Sequence, residues 1–235
     1  MVEGYGLTET APVIAVGIPV KNMIRFGTVG PVLEGVEVKI AEDREILCKG
    51  PNVMMGYYRD PEQTARVMNA QGWFHTGDIG CFEEGVYLKI TDRKKEIFKL
   101  SNGKYIAPLS LELKLNELPF VDQSMVIGED EKFPSALLSV DFSWLEPWAR
   151  ELGIPTEDRN LLIRSEKVEH MVRREISRIN QEVGTHERLK RVRLVAEEWT
   201  PSNGMLSSSL KLKRAVLRET YRDLMDEIYS VGEEA

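Results

Sequence analysis

Four short stretches of this chain carry residue types that could do chemistry. VEGYGLTET, residues 2–10, sets a tyrosine between two glycines and follows it with Thr, Glu and Thr. Gly4 and Gly6 weaken any strand or helix, but they would let a flat nucleobase approach the backbone while Tyr5 stacks on it. The Thr8 hydroxyl could hydrogen-bond a phosphate oxygen. Glu9 could hold Mg²⁺, with phosphates and water filling the remaining octahedral positions. A turn that happens to contain Thr-Glu-Thr would account for the same residues. In GWFHTGDIG, residues 72–80, Asp78 follows Gly77 in what reads as a glycine-bounded turn. Such a carboxylate can accept both hydroxyls of a ribose, or it can simply satisfy its own backbone. His75 has no Cys or His at ligand spacing and reads as structural.

The third stretch is ITDRKKEIFKLSNGKYIAP, residues 90–108. Arg93 could grip ribose or phosphate with its planar fork, and SNGK is a turn; a solvated charge run at a domain junction fits as well. The fourth, NGMLSSSLKLKRAVLRETY, residues 203–221, is rich in Gly and Ser, then in Lys, then helical. Lys211 and Lys213 lie two apart and would share a face of an extended segment. A lysine on a mobile loop ahead of a helix suits transient neutralisation of phosphate charge, whereas a tail with surface lysines would look the same.

The elements that must position these residues change character along the chain. Residues 11–92 read as β-rich: VIAVGIPV, VEVKI, EILCKG and GVYLKI are apolar runs broken by Gly, Pro and Asn. DPEQTARVMNA is a short helix, with Asp60 as N-cap and Pro61 in the first position. Beyond the charged run DRKKEIFK, helices mix with strands. APLSLELKLNEL is a helix with Ser110 a plausible cap, and FSWLEPWARELGI is a helix with Pro147 near its start. VDQSMVIGED, ALLSVDF and RVRLVAEEW are strands. SEKVEHMVRREISRINQEV places Val168, Met171, Val172, Ile176, Ile179 and Val183 on one helical face. RAVLRETYRDLMDEIY closes the chain as one helix striped by Leu217, Tyr221, Leu224, Met225 and Ile228. The switch places a short charged joint at residues 92–96, which suits a hinge better than a buried seam. The expected organisation is α+β, with a β-rich part over 1–93 and a small α+β domain, a short sheet flanked by helices, over 94–235.

Composition narrows the class. At 235 residues the chain suits one large domain or two small ones, and ~70–75% of its unfolded surface could be buried. A net charge of −7, from 31 basic and 38 acidic residues, argues against charge-driven nucleic-acid binding. Two cysteines, Cys48 and Cys81, make neither a disulfide framework nor a zinc site, and read as reduced thiols in strands. They fit a reducing cytoplasm. The N-terminal residues lack the pattern of a secretion signal, and no apolar run approaches the ~20 residues that span a bilayer. Any membrane contact is expected to be peripheral, at the inner face.

Taken in order, YGLTET, GPNVMMGYYRDPEQT, GWFHTGDIG, DRKKEIFKLSNGKYIAP and LKLKR closely resemble the signature of the adenylate-forming enzymes: acyl-CoA synthetases, peptide-synthetase adenylation domains and luciferases. The resemblance runs from residue 3 to about residue 221. LSNGKYIAP and SSSLKLKR look most like long-chain fatty-acid–CoA ligases. The resemblance implies two half-reactions: a carboxylate attacks the α-phosphorus of ATP to give an acyl adenylate and pyrophosphate, and the thiol of coenzyme A then displaces AMP. It implies adenine stacking by Tyr5 between Gly4 and Gly6, a phosphate contact from Thr8 and Mg²⁺ on Glu9. Ribose would be held by Asp78, with Arg93 beside it. Lys211 matches the catalytic lysine, Lys95 the hinge, and Gly103 the lining of the pantetheine path.

Three departures stand out. Arg44 in DREILCKG replaces the usual Gly, which is expected to matter little. Ser207, Ser208 and Ser209 replace the usual Thr-Pro-Thr, and losing the proline is expected to loosen the lysine loop. The Ser/Thr/Gly-rich phosphate loop and the large domain that carries it are not in this sequence. The chain is therefore expected to be the C-terminal portion of such an enzyme, inactive alone and needing the missing domain in cis. Met1 would then be an internal methionine or an artificial start, and the opening loop would be disordered or held by other molecules. Two other readings are kept: an adenylating enzyme for another acid or a carrier protein, and a non-catalytic remnant that binds nucleotide or coenzyme A.

Overall fold

The computed structural model describes residues 2–230; Met1 and the question of its origin lie outside them. The chain divides into two compact units, Met1–Glu96 and Ile97–Ala235. The divide falls just past the last strand of the first unit because residues 94–96 are still tied to that unit. Lys94 N–H donates to Gly77 O, Glu96 N–H donates to Arg93 O, and the Lys94 ammonium pairs with Asp43 and Glu45.

In the first unit β1 (Gly4–Tyr5) pairs antiparallel with β2 (Ala15–Val16). The opening loop, expected to be disordered or held by other molecules, is here paired within its own unit. Gly6 must be glycine, since a Cβ there would lie 1.6 Å from Pro12 O. A five-stranded antiparallel sheet follows, built from β3 (Gly30–Pro31), β4 (Glu37–Ile40), β5 (Glu45–Lys49), β6 (Phe74–Glu83) and β7 (Tyr87–Arg93) in the order β3-β7-β6-β5-β4. Its core is Ile14, Ala15, Ile46, Cys48 and Leu88. Between β5 and β6 lies α1 (Pro61–Val67), with Pro61 at the start and the Asp60 carboxylate accepting Gln63 N–H. Both cysteines are free and in strands, as expected; Cys48 is buried and Cys81 exposed. Burial pushes the Cys48 thiol up to about 11, so it stays protonated.

The main departure from the sequence expectation is β6. GWFHTGDIG reads as a turn but is most of a ten-residue strand. Opposite β5, Glu45 pairs with Ile79 and Leu47 with His75, so five residues of β6 face three of β5. The two extra residues form a bulge around Gly77, which sits at φ +74°, the left-handed geometry that glycine takes without strain. The turn signal was a bulge inside a strand.

The second unit opens with the pair β8 (Phe98–Lys99) and β9 (Tyr105–Ile106), followed by α2 (Pro108–Asn116). Its sheet contains β10 (Val121–Ile127), β11 (Ser135–Val140) and, after α3 (Phe142–Glu151), α4 (Arg159–Ile163) and α5 (Glu166–Gln181), β12 (Arg191–Val195). β11 is central, antiparallel to β10 and parallel to β12. Every residue of β11 is buried, because helices cover both faces. Ala136, Leu138 and Val140 pack with α2, α3 and α5, and Leu137 packs with Trp199 and with Leu217 and Ile228 of the two closing helices, α6 (Arg214–Thr220) and α7 (Arg222–Ser230). The α5 stripe is buried as its spacing requires, with Val183 half-buried just past the helix end.

Three local expectations are corrected. Ser110 does not cap α2; Pro108 is the first helical residue after Ala107, and Ser110 Oγ donates to Ala107 O. Pro147 lies inside α3, not near its start. The closing helix is two helices broken at Tyr221, which leaves helical geometry at φ −106°, ψ 23°. Tyr221 there receives a hydrogen bond from the buried Trp199 indole at 3.1 Å, a tertiary anchor that periodicity does not reveal. Among the described residues no helix is long and apolar enough to cross a membrane.

Arg44 sits at φ +66° and is exposed. Left-handed geometry costs a side-chain-bearing residue about 1–2 kcal/mol, more than glycine's extra unfolded-state entropy. The expectation that this departure matters little therefore needs revision. Arg44→Gly is expected to raise stability by about 0.5–1 kcal/mol in urea unfolding, and a lowered midpoint would contradict the strain account.

Candidate active site

The β1–β2 pairing brings Tyr5 to the sheet at β6. Its hydroxyl donates to Asp78 Oδ2 at 2.7 Å, across 73 residues of sequence. Asp78 and Arg93 are direct partners in the β6–β7 ladder, and Arg93 Nε lies 3.4 Å from Asp78 Oδ1. Two residues from separate motifs, Tyr5 and Arg93, thus converge on the carboxylate of a third, Asp78. Asp78 is only 7% exposed, and its backbone N–H donates to the Thr76 hydroxyl. Burial, with the Asp78 charge beside it, pushes the Tyr5 hydroxyl well above the usual tyrosine range, so it remains a donor. The carboxylate is therefore oriented and held by donors of the kind a sugar hydroxyl could replace.

Thr8 and Glu9 lie on a separate 3₁₀ turn, Thr8–Thr10. Buried Thr10 fixes this turn: its hydroxyl meets Leu7 O and Pro12 O and receives Leu7 N–H. Thr8 is exposed, and Glu9 is half-buried. Glu9 Oε1 accepts the Tyr57 hydroxyl at 2.9 Å, and Met54 N–H donates to Glu9 O. Tyr57 in turn donates its N–H to Thr64 Oγ1 of α1. Burial and the neighbouring Glu9 raise the Tyr57 hydroxyl above its ordinary value, keeping it a donor. Sequence reading assigned Tyr57 no role; its only signal was its place in MGYYRD.

Two further candidates are in the second unit, on different turns. Gly103 lies between β8 and β9 at φ +85°, its N–H on Leu100 O. Lys211 lies on a turn that is more closed than expected of a loose loop. Ser207 N–H donates to Lys211 O at 2.8 Å, Lys211 N–H donates to Ser207 Oγ at 3.1 Å, and Leu206 bridges Leu212. The Lys211 side chain is exposed, as is Lys213, the N-cap residue of α6. Lys95 is exposed at the end of the first unit.

A second buried carboxylate was not singled out from sequence. Glu45 has a side chain 5% exposed and accepts three groups: His75 Nδ1 at 3.0 Å, the Lys94 ammonium at 2.9 Å and Gly77 N–H at 3.0 Å. Lys94 also reaches Asp43 at 2.6 Å. His75, expected to be structural, has its partner 30 residues away.

With this geometry in place, comparison with known proteins is informative. Residues 1–58 match the family described as AMP-binding enzyme, and residues 95–233 match the AMP-binding enzyme C-terminal domain. The chain belongs to the AMP-binding enzyme family. It is 36% identical to long chain acyl-CoA synthetase 7, peroxisomal, of Arabidopsis thaliana, over 97% of this chain and 35% of that protein. It is 32% identical to long-chain-fatty-acid–CoA ligase FadD15 of Mycobacterium bovis, over 97% of this chain and 38% of the relative. The chain therefore spans little more than a third of the length of these relatives. Among solved structures, the adenylation domain of a carboxylate reductase from Mycobacterium chelonae superposes with a TM-score of 0.74 at 23% identity, covering 98% of this chain and 35% of that one. An ATP-bound RpMatB-BxBclM chimera gives 0.69 at 26% identity, covering 95% and 41%. The mixed α/β architecture is the one these adenylation structures share.

In this AMP-binding enzyme chain the Glu45 network makes a stability prediction. Burial alone would raise the Glu45 carboxyl, but the hydrogen bonds from His75, Lys94 and Gly77 outweigh it and hold the group below 4.5. A depressed folded value gives stability that is fully present above the unfolded value and lost as pH falls through the folded one. Glu45→Gln is expected to cost about 2 kcal/mol near neutrality, the size of one charge-assisted hydrogen bond. It should also flatten the loss of stability below about pH 4. Urea unfolding of both proteins between neutral and acid pH checks this; parallel acid profiles would contradict it.

Proposed function

We propose that this chain is part of an ATP-dependent long-chain fatty-acid–CoA ligase. The observation that carries the reading is the convergence of Tyr5 and Arg93 on the buried Asp78 carboxylate within an AMP-binding fold. In this reading Asp78 accepts the ribose hydroxyls, which replace the Tyr5 phenol, and the freed Tyr5 ring stacks on adenine above the small Gly4 and Gly6. Arg93 pairs with Asp78 and lies beside the sugar. Thr8 hydrogen-bonds a phosphate oxygen.

The first half-reaction brings two anions together. A carboxylate oxygen bonds to the α-phosphorus as the bond to pyrophosphate breaks, so positioning and charge neutralisation must carry the rate. Lys211 bridges the acyl carboxylate and the α-phosphate. In the second half-reaction the sulfur of coenzyme A attacks the acyl carbon and AMP leaves. Lys95 is the hinge between the two poses, and Gly103 lines the pantetheine path. Glu9 would hold Mg²⁺ through its carboxylate, one oxygen of which accepts the Tyr57 hydroxyl, since Mg²⁺ beside nucleotide needs only one or two carboxylates. When bound, the ion would neutralise phosphate charge. In this reading the acyl pocket and the phosphate loop belong to the part of the longer relatives that this chain does not cover, so the 235 residues alone are expected to be inactive.

The test is AMP release from ATP, Mg²⁺, coenzyme A and fatty acids of graded length, by the protein that includes the upstream portion. AMP formation that requires a long-chain acid is the expected result. Lys211→Ala should lower adenylation by about 10²–10³-fold and affect thioester formation from supplied acyl adenylate far less. A folded protein that releases no AMP with any fatty acid would overturn the assignment. Robust adenylation by the 235 residues alone would overturn their dependence on the upstream portion.

A further inference from the structure

A buried ion pair ties the lysine turn to the sheet of the second unit, and none of the motifs contains both partners. Glu112, on α2, has a side chain 5% exposed, and the Arg214 guanidinium grips both its oxygens. Nη1 meets Oε1 at 2.8 Å, and Nη2 meets Oε2 at 2.7 Å. Oε1 also accepts Val126 N–H of β10 at 2.8 Å. α2 is itself fastened to β10 by Ser124, whose hydroxyl meets Glu112 O and Asn116 Oδ1. Burying such charges costs desolvation, which only two-point geometry and further hydrogen bonds offset. The partners are 102 residues apart.

Arg214 is the first residue of α6, and Lys213 before it makes no side-chain cap bond. The turn that carries Lys211 has two legs. The incoming leg is anchored by Met205 and Leu206, both buried in the second apolar cluster. The outgoing leg has half-buried Leu212 and the hydrogen bond from Lys213 N–H to Met205 O. These fix the legs to each other. The Glu112–Arg214 fork fixes the outgoing leg to α2 and β10. Arg214 is three residues from Lys211, so this fork sets where that leg leaves the body of the unit.

We propose that Glu112 and Arg214 are positioning residues for Lys211, aiming its ammonium from the turn. The proposal rests on the reading of Lys211 as the group that bridges carboxylate and α-phosphate; neither partner of the pair touches the reacting atoms. A pair that served stability alone would, on removal, affect both half-reactions alike. A pair that aims Lys211 affects the half-reaction that uses the lysine.

The test compares Glu112→Gln and Arg214→Lys with wild type in two arms. Backbone amide exchange on the 235-residue chain reads Ser207, Leu210, Lys211 and Lys213. The two half-reactions are measured separately on the protein with its upstream portion. In variants that keep wild-type circular dichroism, exchange at these amides should rise. Adenylation kcat should fall by about 10–100-fold, as a misplaced catalytic group predicts, with thioester formation changed by less than about twofold. Arg214→Lys, which keeps the charge but not the fork, should lie between wild type and Glu112→Gln. Unchanged exchange and adenylation, or equal losses in both half-reactions, would overturn the proposal. If Glu112→Gln does not fold, Arg214→Lys carries the comparison. If wild type forms no acyl adenylate, the functional reading fails, and unchanged exchange in the variants would overturn the anchoring separately.

Discussion

The two-residue excess of β6 over β5 is the constraint on which the first unit's site depends. A regular antiparallel ladder would have used the backbone groups of residues 76–78 on its neighbours. The bulge frees them. The Thr76 hydroxyl takes up Ile46 O and receives Asp78 N–H, while Gly77 N–H turns to the Glu45 carboxylate. One irregularity therefore supports two buried carboxylates, and donors converge on each. Asp78 has Tyr5 and Arg93; Glu45 has His75 and Lys94. The same bulge links the candidate sugar-binding residue to the last strand and to the charged run after it, since Lys94 N–H donates to Gly77 O.

The second unit depends on a different constraint, the burial of β11 on both faces. With every residue of that strand inside, helices must cover each side, and the chain must cross from one face to the other. The α2–α3–α5 layer forms first along the sequence; α6 and α7 close the opposite face after the long segment through Trp199 and the lysine turn. That turn is on the surface, yet Met205 and Leu206 on one leg and Arg214 on the other make it an extension of the packed body. A charged side chain that must meet other charges is better carried on such a turn than on a free loop, because less ordering entropy is lost when it engages.

Local sequence determined much of this protein. Asp60 and Pro61 start α1 because cap and proline act within a few residues. The α5 stripe follows from helical spacing, and β10, β11 and β12 follow from short apolar runs. The ordered motifs identified the family, and Tyr5, Asp78 and Arg93 were legible as candidates from residue type and glycine context. Tertiary structure alone decided the rest. Gly77 reads as a turn until β5 and β7 flank it. The closing helix reads as continuous until Trp199 engages Tyr221. The partners Tyr57–Glu9, His75–Glu45 and Arg214–Glu112 are separated by 48, 30 and 102 residues. Local pattern reports propensity and periodicity within a turn or strand, whereas pairing across such distances is settled only when the packed chain leaves a buried charge or donor with one partner in reach.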